Sequence, residues 1–208
     1  MRMYHTSPDE IKKVHEKGRF GPGLFFATKP YQMGEGERII YGLESNEDEI
    51  MDAGDLENLE PEEYKKIQHI IKDIMNSIGV DEEQALSLLS ESDSLNDLFN
   101  RLEDFVNYHD EEDDDESIRK KMTHKHLSKQ DIGELDWDMQ GNALRASNIL
   151  GKKGVKLRDE QGESYLMNLM GEENKLKRLE GEEAFRRFEN YEEDEEDETS
   201  PYNLKFKH

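Results

Sequence analysis

Apolar positions along the chain follow two rhythms, and their order sketches the fold. Residues 1–5 read as a short strand. Ser7 then predicts a helix start. Pro8 suits the first helical position, and Ser7 with Glu10 fits a capping box. This helix carries Ile11, Val14 and His15 and stops at Gly18. Leu24-Phe25-Phe26-Ala27-Thr28 reads as a buried strand. Arg38-Ile39-Ile40-Tyr41-Gly42-Leu43 reads as a second, followed by an acidic turn around Asn46.

Pro61 opens a longer helical stretch. Tyr64, Ile67, Ile70, Ile71, Ile74 and Ile78 recur at helical spacing, and Gly79 ends them. Asp81 can cap a second helix bearing Ala85, Leu86, Leu88 and Leu89. Leu95, Leu98, Phe99, Leu102, Phe105 and Val106 make a third. These helices are expected to form a small insert, about residues 60–108, beside the sheet. A charged loop at about 109–130 follows, acidic through Asp110–Glu116 and then basic from Arg119 to Lys129. A helix starts at Asp131 or Asp136 and runs to about Leu150, where Gly151 closes it. Trp137, Met139, Ala143 and Ala146 share one face of it. Val155–Leu157 and Tyr165–Leu169 read as a strand pair around Asp159-Glu160-Gln161-Gly162. This order of elements predicts an α+β fold with a helical insert, and no internal repeat.

Composition changes this picture in three ways. The formal net charge is -23, from 51 acidic and 28 basic residues, with 33% hydrophobic residues in 208. That apolar share is below the usual value for a globular domain. The acid is concentrated in runs, which favours a compact core carrying acidic appendages. Glu192 to Glu198 is the second run, inside a charged tail. The expected division is a domain at 1–175 and an acidic tail at 176–208. The absence of cysteine excludes disulfides and thiolate metal sites, and fits a reducing compartment. No apolar run is long enough to span a bilayer, and the N-terminus lacks a signal peptide's apolar region. A cytoplasmic protein without a membrane partner is expected. The negative charge also argues against direct nucleic-acid binding, which needs a basic surface.

Three blocks then stand out together: YHTSPDEI, then GRFGPGLFFATKPYQM with RIIYGLE, then WDMQGNALRASNILGKKGVKLRDEQGESYLMNLMG. Across roughly residues 3–55 and 131–171 they resemble phage-encoded ADP-ribosyltransferases. Within that group they are most similar to type I-F anti-CRISPR proteins that ADP-ribosylate the host surveillance complex. The resemblance implies an ADP-ribosyltransferase-like split β-sheet core, a pair of small sheets with NAD in the cleft. It implies NAD as co-substrate and a host protein as target, with a subunit of a CRISPR surveillance complex as the candidate. The charged loop and the acidic tail depart from this pattern.

ADP-ribosyl transfer expels nicotinamide from a ribose carbon on which positive charge develops. A fixed carboxylate stabilises that charge without reorganising. Glu160 is the candidate, with Asp159 as substitute. Gly162 permits a tight turn there; a solvated acidic turn is the plain alternative. The resemblance assigns His5 to a ribose hydroxyl and Thr6 to a further contact. Without it, His5 packs at a strand end and Thr6 or Ser7 caps a helix. Tyr31 suits stacking on the nicotinamide ring. Phe25 and Phe26 point to opposite sides of a strand, so one of them, Phe26, is the candidate platform, with core packing as its alternative. Arg19 is placed to meet the pyrophosphate, or to stay a surface arginine. Gln140 and Asn142 are candidates to face the cleft. His124 and His126 sit among lysines without carboxylates, so no metal site is expected. Nucleotide loops and the dinucleotide glycine fingerprint are absent, so NAD binding would not use a Rossmann fold. A competing reading is an acidic DNA mimic, or a non-catalytic inhibitor, that occupies a basic groove of a nucleic-acid-binding protein by charge.

Overall fold

The computed structural model describes residues 1–18, 20–30, 39–98, 100, 129–159 and 162–180. Its strands are β1 (Arg2–Ser7), β2 (Gly23–Ala27), β3 (Ile39–Glu44), β4 (Ile50–Asp52), β5 (Gly154–Asp159), β6 (Gly162–Asn168) and β7 (Lys177–Leu179). Among the described residues, α-helices accompany them: α1 (Pro61–Ile78), α2 (Glu82–Leu89) and α3 (Lys129–Ile149). Residues 95–98 are also helical.

The helices form where their sequences carry stop and start chemistry. In α1, Pro61 takes the first turn beside Glu62 and Glu63, whose charges suit the positive end of the helix dipole. Gly79 ends it with φ of 71°, a conformation that favours glycine, and its N–H bonds Met75 O at 2.9 Å. In α2, Asp81 and Gln84 make a reciprocal capping box, with Gln84 N–H to Asp81 Oδ1 at 2.9 Å and Asp81 N–H to Gln84 Oε1 at 3.1 Å.

The seven strands form one sheet in the order β4-β5-β6-β2-β1-β3-β7. β4 runs parallel to β5, and the other neighbours are antiparallel. Alternation divides the faces. Val155, Leu157 and Leu166 face the helices, where Ile67, Ile70, Ile71 and Ile74 of α1 meet Leu88 and Leu89 of α2 and Ala143 and Leu144 of α3. Phe26, Tyr165, Met167 and Met3 occupy the other face, beneath Val14 and Leu169. Gly23 is the close-approach point. A Cβ there would meet Leu144 Cδ2 at 2.7 Å, Leu166 Cδ1 at 2.9 Å and the Phe20 carbonyl at 3.0 Å.

Three expectations are corrected. No helix follows Ser7. β1 continues through Ser7, which pairs with Ile39, and residues 8–15 cross the sheet face without regular structure. Tertiary partners replace the helical bonds. Ile11 N–H donates to Tyr41 Oη at 2.9 Å, and Val14 N–H to Glu173 Oε1 at 3.0 Å. Ile11 and Val14 thereby bury their side chains against the sheet. Second, α1 and α2, expected as a small insert beside the sheet, share the main core with α3, β5 and β6. Third, ordered structure passes residue 175: β7 pairs with β3 through Ile40↔Leu179, Tyr41↔Arg178 and Gly42↔Lys177. The charged loop at 109–128, the helical positions Leu102, Phe105 and Val106, and the tail from 181 lie outside the described residues.

Two substitutions test the helix–sheet core. Ile71→Ala removes a side chain only 1% exposed and is expected to cost about 2–5 kcal/mol in urea unfolding. Gly23→Ala overpacks the contact with α3 and is expected to cost about 1–3 kcal/mol. An unchanged midpoint for Gly23→Ala would refute the close approach.

Candidate functional site at the β1–β2 seam

The sheet is thinnest between β1 and β2. β1 pairs with β3 at six positions, from Arg2↔Glu44 to Ser7↔Ile39, and β2 pairs with β6 at five. Between β1 and β2 a single pair is registered, Tyr4↔Ala27. Next to it, the imidazole of His5 reaches across the seam, with Nδ1 at 2.6 Å from the Phe25 carbonyl oxygen. A carbonyl can only accept, so Nδ1 carries the proton and donates it. The side chain thus satisfies a carbonyl that a continued ladder would have bonded. In the neutral ring this leaves Nε2 as an acceptor. Burial lowers the His5 pKa, and the Phe25 carbonyl opposes that shift less strongly, so the neutral ring is favoured. The ring tilts against Phe26, with centroids 5.6 Å apart.

Thr6 points to the opposite face, the side of Phe25 and the helices. Its hydroxyl is buried, and among the described residues it has no hydrogen-bond partner; the Ser164 hydroxyl shares this condition. Such a group is costly unless something bonds it. Phe25 continues into an aromatic row. Phe20 meets it edge-on at 4.6 Å, and Trp137 of α3 meets Phe20 at 6.4 Å. Trp137 is 43% exposed, so the row runs from the seam side of β2 to the surface. Burial raises the pKa of Asp136 beside it. Sequence reading missed Phe20 and Asp136. The available signal was the glycine pair around Arg19-Phe20, where Gly21 N–H bonds the Gly18 carbonyl at 3.0 Å and presents Phe20 to α3.

The predicted site residues are distributed unevenly. His5 and Thr6 lie side by side on β1 but on opposite faces, so a single ligand meets both only where the strands part. Phe26 is corrected to a core residue. It is 0% exposed, packed among Met3, Leu43 and Tyr165, and offers no free face for stacking. Phe25, half-buried, is the more accessible of the pair. Gln140 and Asn142 are half-buried on α3. Asp159 ends β5 and pairs through its backbone with Gly162. Its side chain, and Glu160, Tyr31 and Arg19 altogether, lie outside the described residues. Ala27 pairs with Ser164, so Gly162, the first residue of β6, lies past the Ala27 end of β2, two strands from β1. From strand spacings alone, His5 and Gly162 are roughly 14 Å apart. The neighbouring carboxylate Glu163 is already engaged. Lys156 Nζ at 2.6 Å and then Tyr165 Oη at 3.2 Å hold its carboxyl below the usual range. Among the described residues, no three carboxylate or imidazole groups gather as metal ligands. Nor is any helix there long and apolar enough to cross a membrane.

No protein-family model matches the chain, and no curated protein does. One solved structure, described as the crystal structure of an anti-CRISPR protein, is similar to it. The likeness covers 80% of this chain and 88% of that one, at 21% identity and a TM-score of 0.41.

The two β1 side chains predict opposite responses. The folded pKa of His5 lies below its unfolded value near 6.5, so the unfolded chain binds the extra proton first. The stability from neutral His5 is therefore fully present above about pH 6.5 and is lost as pH falls toward the folded pKa. In His5→Gln, the fall in urea midpoint below pH 6.5 should become shallower; an unchanged acid limb would place the titration elsewhere. Thr6→Val removes, at nearly constant shape, a hydroxyl without a partner among the described residues, and stability should hold or rise by about 1 kcal/mol. A clear loss would mean that the hydroxyl has a partner within the folded chain.

Proposed function

We propose that this chain is a mono-ADP-ribosyltransferase that transfers ADP-ribose from NAD to a host protein. We further propose that it inhibits a CRISPR surveillance complex in this way, in the host cytoplasm. The observation that carries the reading is the β1–β2 seam. There the His5 imidazole donates through Nδ1, which in the neutral ring leaves Nε2 as an acceptor, beside a buried hydroxyl that has no hydrogen-bond partner among the described residues. These are polar groups suited to a ligand rich in hydroxyl and amide groups. The sequence blocks that resemble ADP-ribosyltransferases also lie on neighbouring strands, β1, β2 and β6. The roughly 14 Å between His5 and Gly162 is a span that two side chains and a sugar ring can bridge.

In this reading His5 Nε2 accepts from a ribose hydroxyl of NAD, and Thr6 bonds a further polar group. Tyr31 stacks on nicotinamide, and Arg19 meets the pyrophosphate. The bond between ribose carbon and nicotinamide nitrogen breaks, and nicotinamide leaves with the electron pair. The carboxylate of Glu160, or of Asp159, stabilises the positive charge left on the sugar. A nucleophilic side chain of the target protein then bonds that carbon and releases its proton to water.

The net charge of -23 favours a second reading, an acidic mimic of DNA that blocks a basic groove without chemistry. Labelled NAD separates the two. Incubation with host lysate should label a defined protein, and mass spectrometry of that band should find an ADP-ribose adduct. Glu160→Gln should cut labelling by about 100-fold or more with an unchanged urea midpoint. Thr6→Val should weaken NAD binding about tenfold in calorimetry while the fold stays intact. Full labelling by Glu160→Gln would remove the catalytic assignment. A lysate without label, together with inhibition that vanishes at high salt, would establish the mimic instead.

A further inference from the structure

One surface of this acidic chain is basic. Residues 12–17, just after β1, line a groove of about 830 Å³ whose other wall is formed by Met170, Gly171 and Glu173. Lys12, Lys13, His15 and Lys17 line it against only Glu16 and Glu173. Glu173 is occupied with the Val14 N–H. Lys12 reaches Glu10 at 3.5 Å, but both side chains are largely exposed, so that pair contributes little.

We propose that the acidic run Glu192–Glu198 of the same molecule docks in this groove. Three observations favour it. The first is charge: the run carries seven consecutive carboxylates, and the groove carries three lysines in a chain of net charge -23. The second is position. Thr6, Ile40 and Leu179 lie level in register, so β7 delivers the chain at the same end of the sheet where β1 enters the groove wall. Only β3 separates the two strands, a gap of about 10 Å. The third is reach. The 13 residues from Glu180 to Glu192 span at most about 45 Å, ample to return to the groove. A free polyanion would be repelled by the rest of the surface, whereas a tethered one acts at a local concentration in the millimolar range.

Docking also has a consequence for the face that carries His5. The groove wall continues from the segment whose Ile11 N–H is held by Tyr41 Oη, and Tyr41 lies opposite His5 in register. A seated tail therefore fastens this strap over the sheet. The inference is independent of the catalytic reading, since it needs no NAD.

Carbodiimide coupling of the full chain, followed by peptide mass spectrometry, tests it. Lys12, Lys13 or Lys17 should be the main lysines linked to the acidic run, at a yield unchanged by tenfold dilution. The yield should fall at least about fivefold in 1 M salt, where the screening length is about 3 Å. It should fall similarly in the triple variant Lys12→Gln, Lys13→Gln, Lys17→Gln. Neutralising the run to amides should speed hydrogen exchange at residues 11–17. Links spread evenly to lysines such as Lys65 and Lys152 would overturn the proposal, as would unchanged exchange. A yield that drops with dilution would also overturn it, by assigning the groove to the tail of a second copy.

Discussion

Burial of one sheet face beneath α1, α2 and α3 is the constraint on which the remaining structure depends. The chain carries a net charge of -23 and only 33% hydrophobic residues, so self-repulsion opposes compaction. The apolar side chains must therefore be concentrated rather than spread. Ile67, Ile70, Ile71 and Ile74 of α1 are all 1% exposed or less. They meet Val155, Leu157 and Leu166, which the two-residue alternation of β5 and β6 delivers to the same side. Gly23 lets α3 approach β2 closely enough to seal that layer. With β2, β5 and β6 locked in this way, the strands beyond β2 are positioned by pairing rather than by helices.

That division explains where polar groups gather. On the helix side, the far half of the sheet is covered by a smaller cluster of Tyr4, Ile40 and Leu179. At the junction of the two halves the ladder shortens to one pair, and the His5 ring supplies a hydrogen bond that backbone pairing would otherwise make. Beside it stands the Thr6 hydroxyl, which has no hydrogen-bond partner among the described residues. Among the described residues the Ser164 hydroxyl on β6 is in the same condition, whereas the cap of α2 is fully bonded.

Legibility in the sequence followed the range of the interactions. The isoleucines of α1, its Pro61 start and Gly79 stop, and the Asp81–Gln84 cap are all local, and each is where the pattern predicts. The strand pair around Asp159–Gly162 is equally local, since a short connection joins its partners. The helix expected after Ser7 failed because the Ile11 and Val14 amides found partners 30 and 159 residues away. Nothing near residue 8 announces Tyr41 or Glu173. Phe26 failed as a platform for a related reason. Alternation separates it from Phe25, but which of the two meets the deeper core depends on what covers each face.

By itself, then, the sequence determined the types of most elements and their order. Those features arise from backbone hydrogen bonds and side chains a few positions apart, which the local pattern contains. Only the tertiary structure decided the strand order, the central rank of α1 and α2, the opposite facing of His5 and Thr6, and the opening of the sheet between β1 and β2. These depend on contacts between segments far apart in the chain, where burial of whole faces outweighs the preference of any short stretch.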